Sequence, residues 1–268
     1  MCALHAGCES GETLLADDSG GIYRLDRRGR LAALTRGFHG LALLAGDDVG
    51  ASAVAVHDET QLSWLDDRLE VAWSIELPRP ITGAGIDSYG RYVAVALDDG
   101  KNVVYDRDHR RIFLFETERP MRFLRFLSNQ PAIVAAADYG MFCRFDFEGN
   151  TVWMGKTLYH IGELTCTGDG SLMALAAFAR GVKLLDSDGE PAGTYLLEGT
   201  PNGLSISFAP FRLAVTTLEG HLYWLNESGD LVWGAALPEE VTAVATNPLG
   251  DGLVCGFASG EVIGIGWD

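Results

Sequence analysis

Hydrophobic runs of strand length follow one another along the whole chain, separated by short polar segments. In the stretch that begins at Ile81 the apolar runs cover residues 81–87, 91–97, 101–106 and 111–117. The segments between them contain Ser-Tyr-Gly, Asp-Asp-Gly and Arg-Asp-His-Arg, which favour tight turns. Because helical periodicity is absent, the pattern predicts an all-β protein built from four-stranded units. The strands of each unit are named A to D.

A repeat of 40 residues defines these units. When the repeats are aligned, the clearest column contains an aspartate at the end of strand C. Further columns contain glycine or an aromatic residue at the same spacing. The columns are Asp26, Asp66, Asp106, Asp146, Asp186, Asn226 and Gly266; Gly20, Gly100, Gly140, Gly220 and Gly260; Gly50, Gly90, Gly170 and Gly250; and Trp73, Phe113, Trp153 and Trp233. Four-stranded repeats of this length are typical of β-propeller blades.

The sequence therefore predicts one domain, residues 1–268, that folds as a seven-bladed β-propeller. The predicted repeats are approximately 1–40, 41–80, 81–120, 121–160, 161–200, 201–240 and 241–268. The last repeat lacks the sequence of its outer strand D, and Met1 aligns with the start of a strand A. Three explanations stay open: a three-stranded blade, a local shift of register, or a chain that is part of a longer protein.

Strand B is continuously apolar in most repeats, for example at 92–97 and 132–137. A strand has this pattern when both of its faces are buried, as expected for the middle of a blade packed between two others. Tryptophan recurs in strand D at Trp73, Trp153 and Trp233. Such recurrence predicts packing between blades, in preference to an aromatic ligand cage.

Charge and cysteine content limit the possible environments and partners. The net charge is −17, which should repel nucleic acids and anionic membranes, so direct nucleic-acid binding is not expected. Neither a signal peptide in residues 1–10 nor an apolar run of about 18 residues is found, so no membrane insertion is expected. The five cysteines are scattered without a C-x-x-C pair, which is typical of reduced thiols and predicts a cytoplasmic location.

Few residues suggest chemistry. The six histidines occupy six different columns without metal-ligand spacing, although His39 and His57 at the loop end of blade two leave a metal or general-base role open. Residues 186–190 resemble the start of a calcium loop but lack its later acidic ligands, so an ordinary turn is favoured. We expect no catalytic residue, metal or cofactor, and a non-enzymatic protein is favoured without excluding an enzyme.

One polar cluster could bind a partner. It combines acidic B–C turns with basic D–A connections, and both kinds of loop emerge on the same face of a propeller. Its members are Asp17, Asp18, Asp58, Glu59, Asp98, Asp99, Asp138, Arg36, Arg79 and Arg119. These residues belong to blades one to four, whereas turn chemistry alone would treat all blades alike. The competing interpretation is that they are ordinary turn residues with weak surface ion pairs.

The motif of strand, Leu-Asp/Asn, Gly and Leu/Val-x-Trp is clearest at 143–155 and 222–238. It resembles the repeat of WD-repeat-like and quinoprotein-like propellers, and the resemblance extends over essentially the whole chain. It implies the fold but not the function, because such propellers include scaffolds, receptors and enzymes. The repeated Gly-His and Trp-Asp pairs and the adjacent cysteine pair of these families are missing, so no binding residue can be transferred.

The favoured function is a non-catalytic scaffold, a subunit of a larger assembly that binds a protein partner through a loop face. The alternative is a ligand-binding or catalytic propeller with a site around the central channel. Candidate channel residues on different A strands are His5, Asp87, Arg125, Glu163 and Asn247. The sequence identifies neither the partner nor a small-molecule ligand.

Overall fold

The computed structural model describes residues 3–267, and every regular element in this range is a β-strand. Blades one to four comprise β1 Ala3–Ala6, β2 Thr13–Ala16, β3 Gly21–Leu25, β4 Leu31–Arg36, β5 Leu43–Gly46, β6 Ala53–His57, β7 Gln61–Leu65, β8 Val71–Glu76, β9 Ile81–Ile86, β10 Tyr92–Leu97, β11 Lys101–Asp106, β12 Arg111–Glu116, β13 Phe123–Phe126, β14 Ala132–Ala136, β15 Phe142–Asp146 and β16 Thr151–Gly155. Blades five to seven comprise β17 Ile161–Cys166, β18 Leu172–Ala177, β19 Gly181–Asp186, β20 Pro191–Tyr195, β21 Pro201–Ile206, β22 Leu213–Thr217, β23 His221–Leu225, β24 Leu231–Ala236, β25 Val241–Thr246, β26 Gly252–Phe257 and β27 Val262–Gly266.

These strands form seven antiparallel sheets. Six sheets have four strands in the order A, B, C, D, and the seventh contains only β25, β26 and β27. The inner strand of each blade lies against that of the next, and β1 lies against β25, so the ring closes. The structure confirms the seven-bladed β-propeller, including a last blade without strand D among the described residues.

The aspartate column has a structural explanation in the turn between strands C and D. Oδ1 of Asp146 accepts hydrogen bonds from the backbone N–H groups of Glu148 (2.9 Å) and Asn150 (2.8 Å). The same two bonds recur at Asp26, Asp66, Asp106 and Asp186. An aspartate at this place therefore satisfies the donors of the turn, which explains its spacing of one blade.

The core lies between the blades. Six clusters of buried apolar side chains fill the interfaces from blades one and two to blades six and seven. Strand B contributes on both faces, as the nearly inaccessible residues of β14 show. The interface between blades seven and one instead contains a groove of about 300 Å³.

The recurrent tryptophans of strand D lie between blades, as predicted, and they are half-buried. An outer strand has solvent on one side, so its side chains stay partly accessible. The indole N–H groups of Trp73 and Trp153 donate to the backbone oxygens of Arg107 and Ser187 in the next blade, both at 2.9 Å. Trp267 stacks on the buried Trp224 with ring centres 4.8 Å apart.

The loops are divided between two faces. Backbone hydrogen bonds join B–C turns to D–A connections, for example from Leu77 to Thr60 (2.9 Å) and from Thr117 to Gly100 (2.9 Å). We call this side of the ring the B–C face, and the opposite side, with the A–B and C–D turns, the A–B face. The predicted partner-binding residues all belong to the B–C face.

Candidate interaction face and central channel

In blade one the acidic turn is tightly organised. Asp17 accepts hydrogen bonds from the Tyr23 hydroxyl (2.6 Å), the Ser19 hydroxyl (2.7 Å) and the backbone N–H of Gly21 (2.8 Å). Partial burial acts to raise the pKa of the Asp17 carboxyl, but these hydrogen bonds outweigh it and lower the pKa to about 2. Arg36 is exposed beside Tyr23. Asp17 therefore has a structural role in its turn.

In blade three the predicted acids and bases pair with one another. The Arg79 guanidinium binds both carboxylate oxygens of Asp98, at 2.8 and 3.0 Å. Lys101 Nζ lies 3.1 Å from Asp99. The hydrogen bond to Asp98 raises the pKa of Arg79, and the backbone N–H of Lys101 lowers the pKa of Asp99. The turn of blade three thus binds the connection that precedes it.

Blades two and four use other contacts. The Asp58 carboxylate lies 3.3 Å from Nδ1 of His57. The guanidinium of Arg119 lies over the ring of Tyr139, 5.5 Å from its centre, a cation–π geometry. His57 also contacts Ser63 and therefore belongs to a local hydrogen-bond network.

Three of the predicted acids have no side-chain partner among residues 3–267. Asp18, Glu59 and Asp138 are exposed on the B–C face and make no side-chain hydrogen bond or ion pair in this range. They belong to blades one, two and four. Since no internal partner competes for them, these carboxylates are the most available to another molecule.

The B–C face also contains three exposed leucines, on loops of neighbouring blades, that the sequence analysis missed. Leu158, Leu196 and Leu218 are 91%, 83% and 54% exposed, respectively, on the loops of blades four to six. Leu218 occupies the repeat position that Asp18, Asp58, Asp98 and Asp138 hold in blades one to four. An apolar residue in a column that begins with four aspartates was a signal that could have revealed Leu218. The three exposed leucines together are called the leucine patch.

The central channel has a volume of about 840 Å³ and is lined by the inner strands of all seven blades. On its wall Arg125 donates to Glu163 at 2.9 Å. Burial raises the pKa of Glu163 while Arg125 opposes the shift. Nε2 of His5 is buried without a hydrogen-bond partner in the described structure, and burial lowers the pKa of this imidazole.

Two of the five predicted channel residues are wrong. Asp87 and Asn247 follow strand A and cap the A–B turns instead of lining the channel. Asp87 accepts a hydrogen bond from the N–H of Tyr92 (2.7 Å), and Asn247 accepts one from Gly252 (3.2 Å). The polar side chain at this position satisfies turn donors for the same reason as the aspartates after strand C.

Other chemistry is limited in the part of the chain that the structure describes. No group of three or more histidine, cysteine or acidic side chains among residues 3–267 could hold a metal ion. Cys8, Cys143, Cys166 and Cys255 are free thiols, and burial raises the pKa of Cys143, Cys166 and Cys255. Cys2 lies outside the described residues. No helix in this range could cross a lipid bilayer.

Comparison with known proteins gives the architecture. No family model and no curated protein sequence matches the chain. The β-propeller domain of Cps50 (Swd1) from Myceliophteria thermophila is similar, with a TM-score of 0.83 and 15% identity over 98% of this chain and 94% of that chain. Hydrazine synthase from Kuenenia stuttgartiensis is similar with a TM-score of 0.82 and 14% identity over the same shares. The resemblance to WD-repeat-like and quinoprotein-like propellers is thus confirmed for the architecture, and the chain is a seven-bladed β-propeller.

Proposed function

We propose that this propeller is a non-catalytic scaffold that holds a protein partner on its B–C face as a subunit of a larger assembly. The observation that supports it is the division of this face into two sectors. Unpaired carboxylates of Asp18, Glu59 and Asp138 lie on blades one, two and four, and the leucine patch lies on the loops of blades four to six.

A partner that fits both sectors would present a basic segment and a separate apolar residue. Exposed leucines supply the buried centre that protein interfaces need, while charges at the rim govern orientation and association rate. The ion pair of Arg79 with Asp98 in blade three orders the loops within the acidic sector. A cytoplasmic location and the absence of direct nucleic-acid binding remain parts of this proposal.

The test begins with affinity purification of the tagged chain from its native host and identification of the partner. Two triple variants are then compared with the unmodified chain: D18K, E59K and D138K in the acidic sector, and L158S, L196S and L218S in the leucine patch. We expect the acidic variant to slow association, with an effect that decreases as salt rises. The leucine variant should speed dissociation.

A matched control reverses three exposed acids of the A–B face, Asp67, Asp108 and Asp188. It changes the net charge by the same amount on the opposite side of the ring. Equal weakening by this control would show that bulk charge controls binding. Unchanged binding in both B–C face variants would contradict the proposal.

Ligand binding in the channel is a second candidate function. It is favoured by the buried, unpartnered Nε2 of His5 in the same channel as the Arg125–Glu163 pair, since such a nitrogen is costly to leave unsatisfied. Native mass spectrometry of the chain purified from its host tests this function. A co-purifying small molecule that disappears in His5→Phe supports it, and an unliganded mass contradicts it.

A further inference from the structure

Strand β27 of blade seven has a free outer edge in the described structure. In the other six blades strand C pairs with strand D on this side, whereas β27 pairs only with β26. In blade six the N–H of Leu237 donates to the backbone oxygen of Gly220, and the N–H of Asn226 donates to that of Asp230. The backbone N–H and C=O groups of the even-numbered residues of strand C therefore point toward strand D. Their equivalents in blade seven are Gly260, Val262, Gly264 and Gly266.

A groove beside this edge is open because side chains found in other blades are missing. Gly264 takes the repeat position of Trp64 and Trp224, and a Cβ added to it would meet no atom within 4 Å. The groove of about 300 Å³ lies between blades seven and one, lined by Gly7, Gly11 and Gly264 among others. This volume is large enough for part of an aromatic side chain.

The complete blades show what such a groove accommodates. An aromatic residue of strand D contacts the residue that follows strand C of the next blade: Trp73 reaches Arg107, Trp153 reaches Ser187, and Trp233 packs edge-on against Trp267 at 5.8 Å. Each partner follows 34 residues after its aromatic residue. By the same relation, an aromatic residue beside β27 would contact the turn of blade one at Arg27.

The sequence on the blade-seven side of the edge is acidic, whereas Arg27 of blade one lies beside the groove at Gly11. Residues 213–268 contain eight aspartates and glutamates and no lysine or arginine. Glu261 and Asp251 lie next to the two ends of β27, and both are exposed. A strand that approaches this edge is therefore stabilised by positive charges on its flanks.

We propose that the outer edge of β27 binds an extended, cationic segment of a partner protein. The segment adds as a fourth antiparallel strand and places one aromatic side chain in the groove between blades seven and one. Free strand edges bind extended peptides through their backbone groups, and a pocket beside the edge gives the side-chain specificity. This surface is separate from the B–C face, so either proposal can fail without the other.

The experiment uses a fluorescent peptide derived from strand D of blade two. It comprises residues 67–79 with the acids replaced (D67K, E70K and E76K), so that Trp73 stands in a cationic strand. We expect saturable binding to the chain, measured by fluorescence anisotropy, and slower amide exchange at Val262 and Gly264. Replacing Trp73 in the peptide by alanine should weaken binding about tenfold or more, the scale of a buried aromatic contact.

Two protein variants test the edge and the groove separately. Val262→Pro removes an outward N–H group, and Gly264→Trp fills the groove as Trp64 and Trp224 do in their blades; each should weaken binding about tenfold or more. Ala236→Pro, on the outer edge of blade six, is the matched control and should leave binding unchanged. Circular dichroism and thermal melting show whether each variant is folded. If Val262→Pro does not fold, Gly264→Trp alone tests the proposal.

Three results would overturn the proposal. The first is a lack of saturable binding, and the second is equal affinity for the tryptophan and alanine peptides, which indicates ionic adhesion alone. The third is a chain that sediments as a dimer without peptide and whose Val262 and Gly264 amides are then protected from exchange. The edge would in that case be a contact between two copies.

Discussion

At the residue scale, Asp47 is the most unusual ionisable group of the turns. It lies in the A–B turn of blade two and is only 2% exposed. Its Oδ1 accepts the N–H of Ala51 at 2.9 Å, whereas Oδ2 has no partner in the described structure. Burial raises the pKa of this carboxyl to about 6, against the opposing hydrogen bonds from Ala51, Gly50 and Ser52.

This shift predicts a pH dependence of stability. The pKa of Asp47 is about 6 in the folded chain and about 4 in the unfolded chain. Between these two pH values the carboxyl is mostly protonated in the folded chain and mostly ionised in the unfolded chain. The contribution of Asp47 to the free energy of unfolding therefore falls as pH rises through this window. Asp47→Asn keeps the acceptor for Ala51 and should raise the free energy of unfolding at pH 7 by about 1 to 3 kcal/mol.

Urea denaturation across that pH range measures this difference. The stabilisation by Asp47→Asn should vanish as pH falls toward about 4, because the native carboxyl is then protonated in both states. Asp48→Asn, which removes a carboxylate from the next position of the same turn, is the control for the loss of one negative charge. A variant less stable than the unmodified chain at pH 7 would contradict the assignment.

Trp153 links two blades through packing and one hydrogen bond. Trp153→Ala should lower the free energy of unfolding by about 2 to 4 kcal/mol, somewhat less than for a fully buried aromatic residue because the indole is half-buried. Trp153→Phe retains most of the packing and should cost about 1 kcal/mol, mainly for the lost bond to Ser187. Chemical denaturation gives both values, and equal costs would show that packing contributes little.

At the element scale, the turn between strands C and D depends on one acceptor atom. Asp146→Ala removes the acceptor of two backbone N–H groups and should cost about 1 to 2 kcal/mol. Asp146→Asn retains an oxygen at the same place, as Asn226 does when it accepts the N–H of Asp230 at 2.8 Å. We therefore expect Asp146→Asn to lose less than half as much stability as Asp146→Ala, as measured by thermal melting. Equal losses would show that the charge of Asp146 stabilises the turn, and not its oxygen acceptor.

At the scale of the whole molecule, the interface between blades seven and one should open most readily. The other six interfaces are filled by apolar clusters, whereas this one contains the glycine-lined groove. Hydrogen exchange should consequently be faster in β25 and β1 than in β9 and β13. Mass spectrometry of peptides that cover the four strands measures the difference, and equal rates would show that the ring opens without preference.

The sequence predicted the architecture well because its repeat reflects local chemistry. The aspartates at 40-residue spacing cap turns, and the continuous apolar runs are the buried B strands, so both signals come from within one blade. Individual side-chain pairings and exposures in the loops could not be predicted in the same way. Whether Asp98 pairs with Arg79 while Asp18 stays free depends on side-chain geometry across a connection, and the exposure of Leu158 depends on its neighbours.

The pairing of tryptophans has an optical consequence. Trp64 and Trp73 have ring centres 5.6 Å apart in blade two, and Trp224, Trp233 and Trp267 form a second group in blades six and seven. Trp153 lies outside both groups. Indole fluorescence therefore reports on these two regions and, through Trp153, on a third, and spectra of chains that retain one group at a time can follow the melting of each region without an added dye.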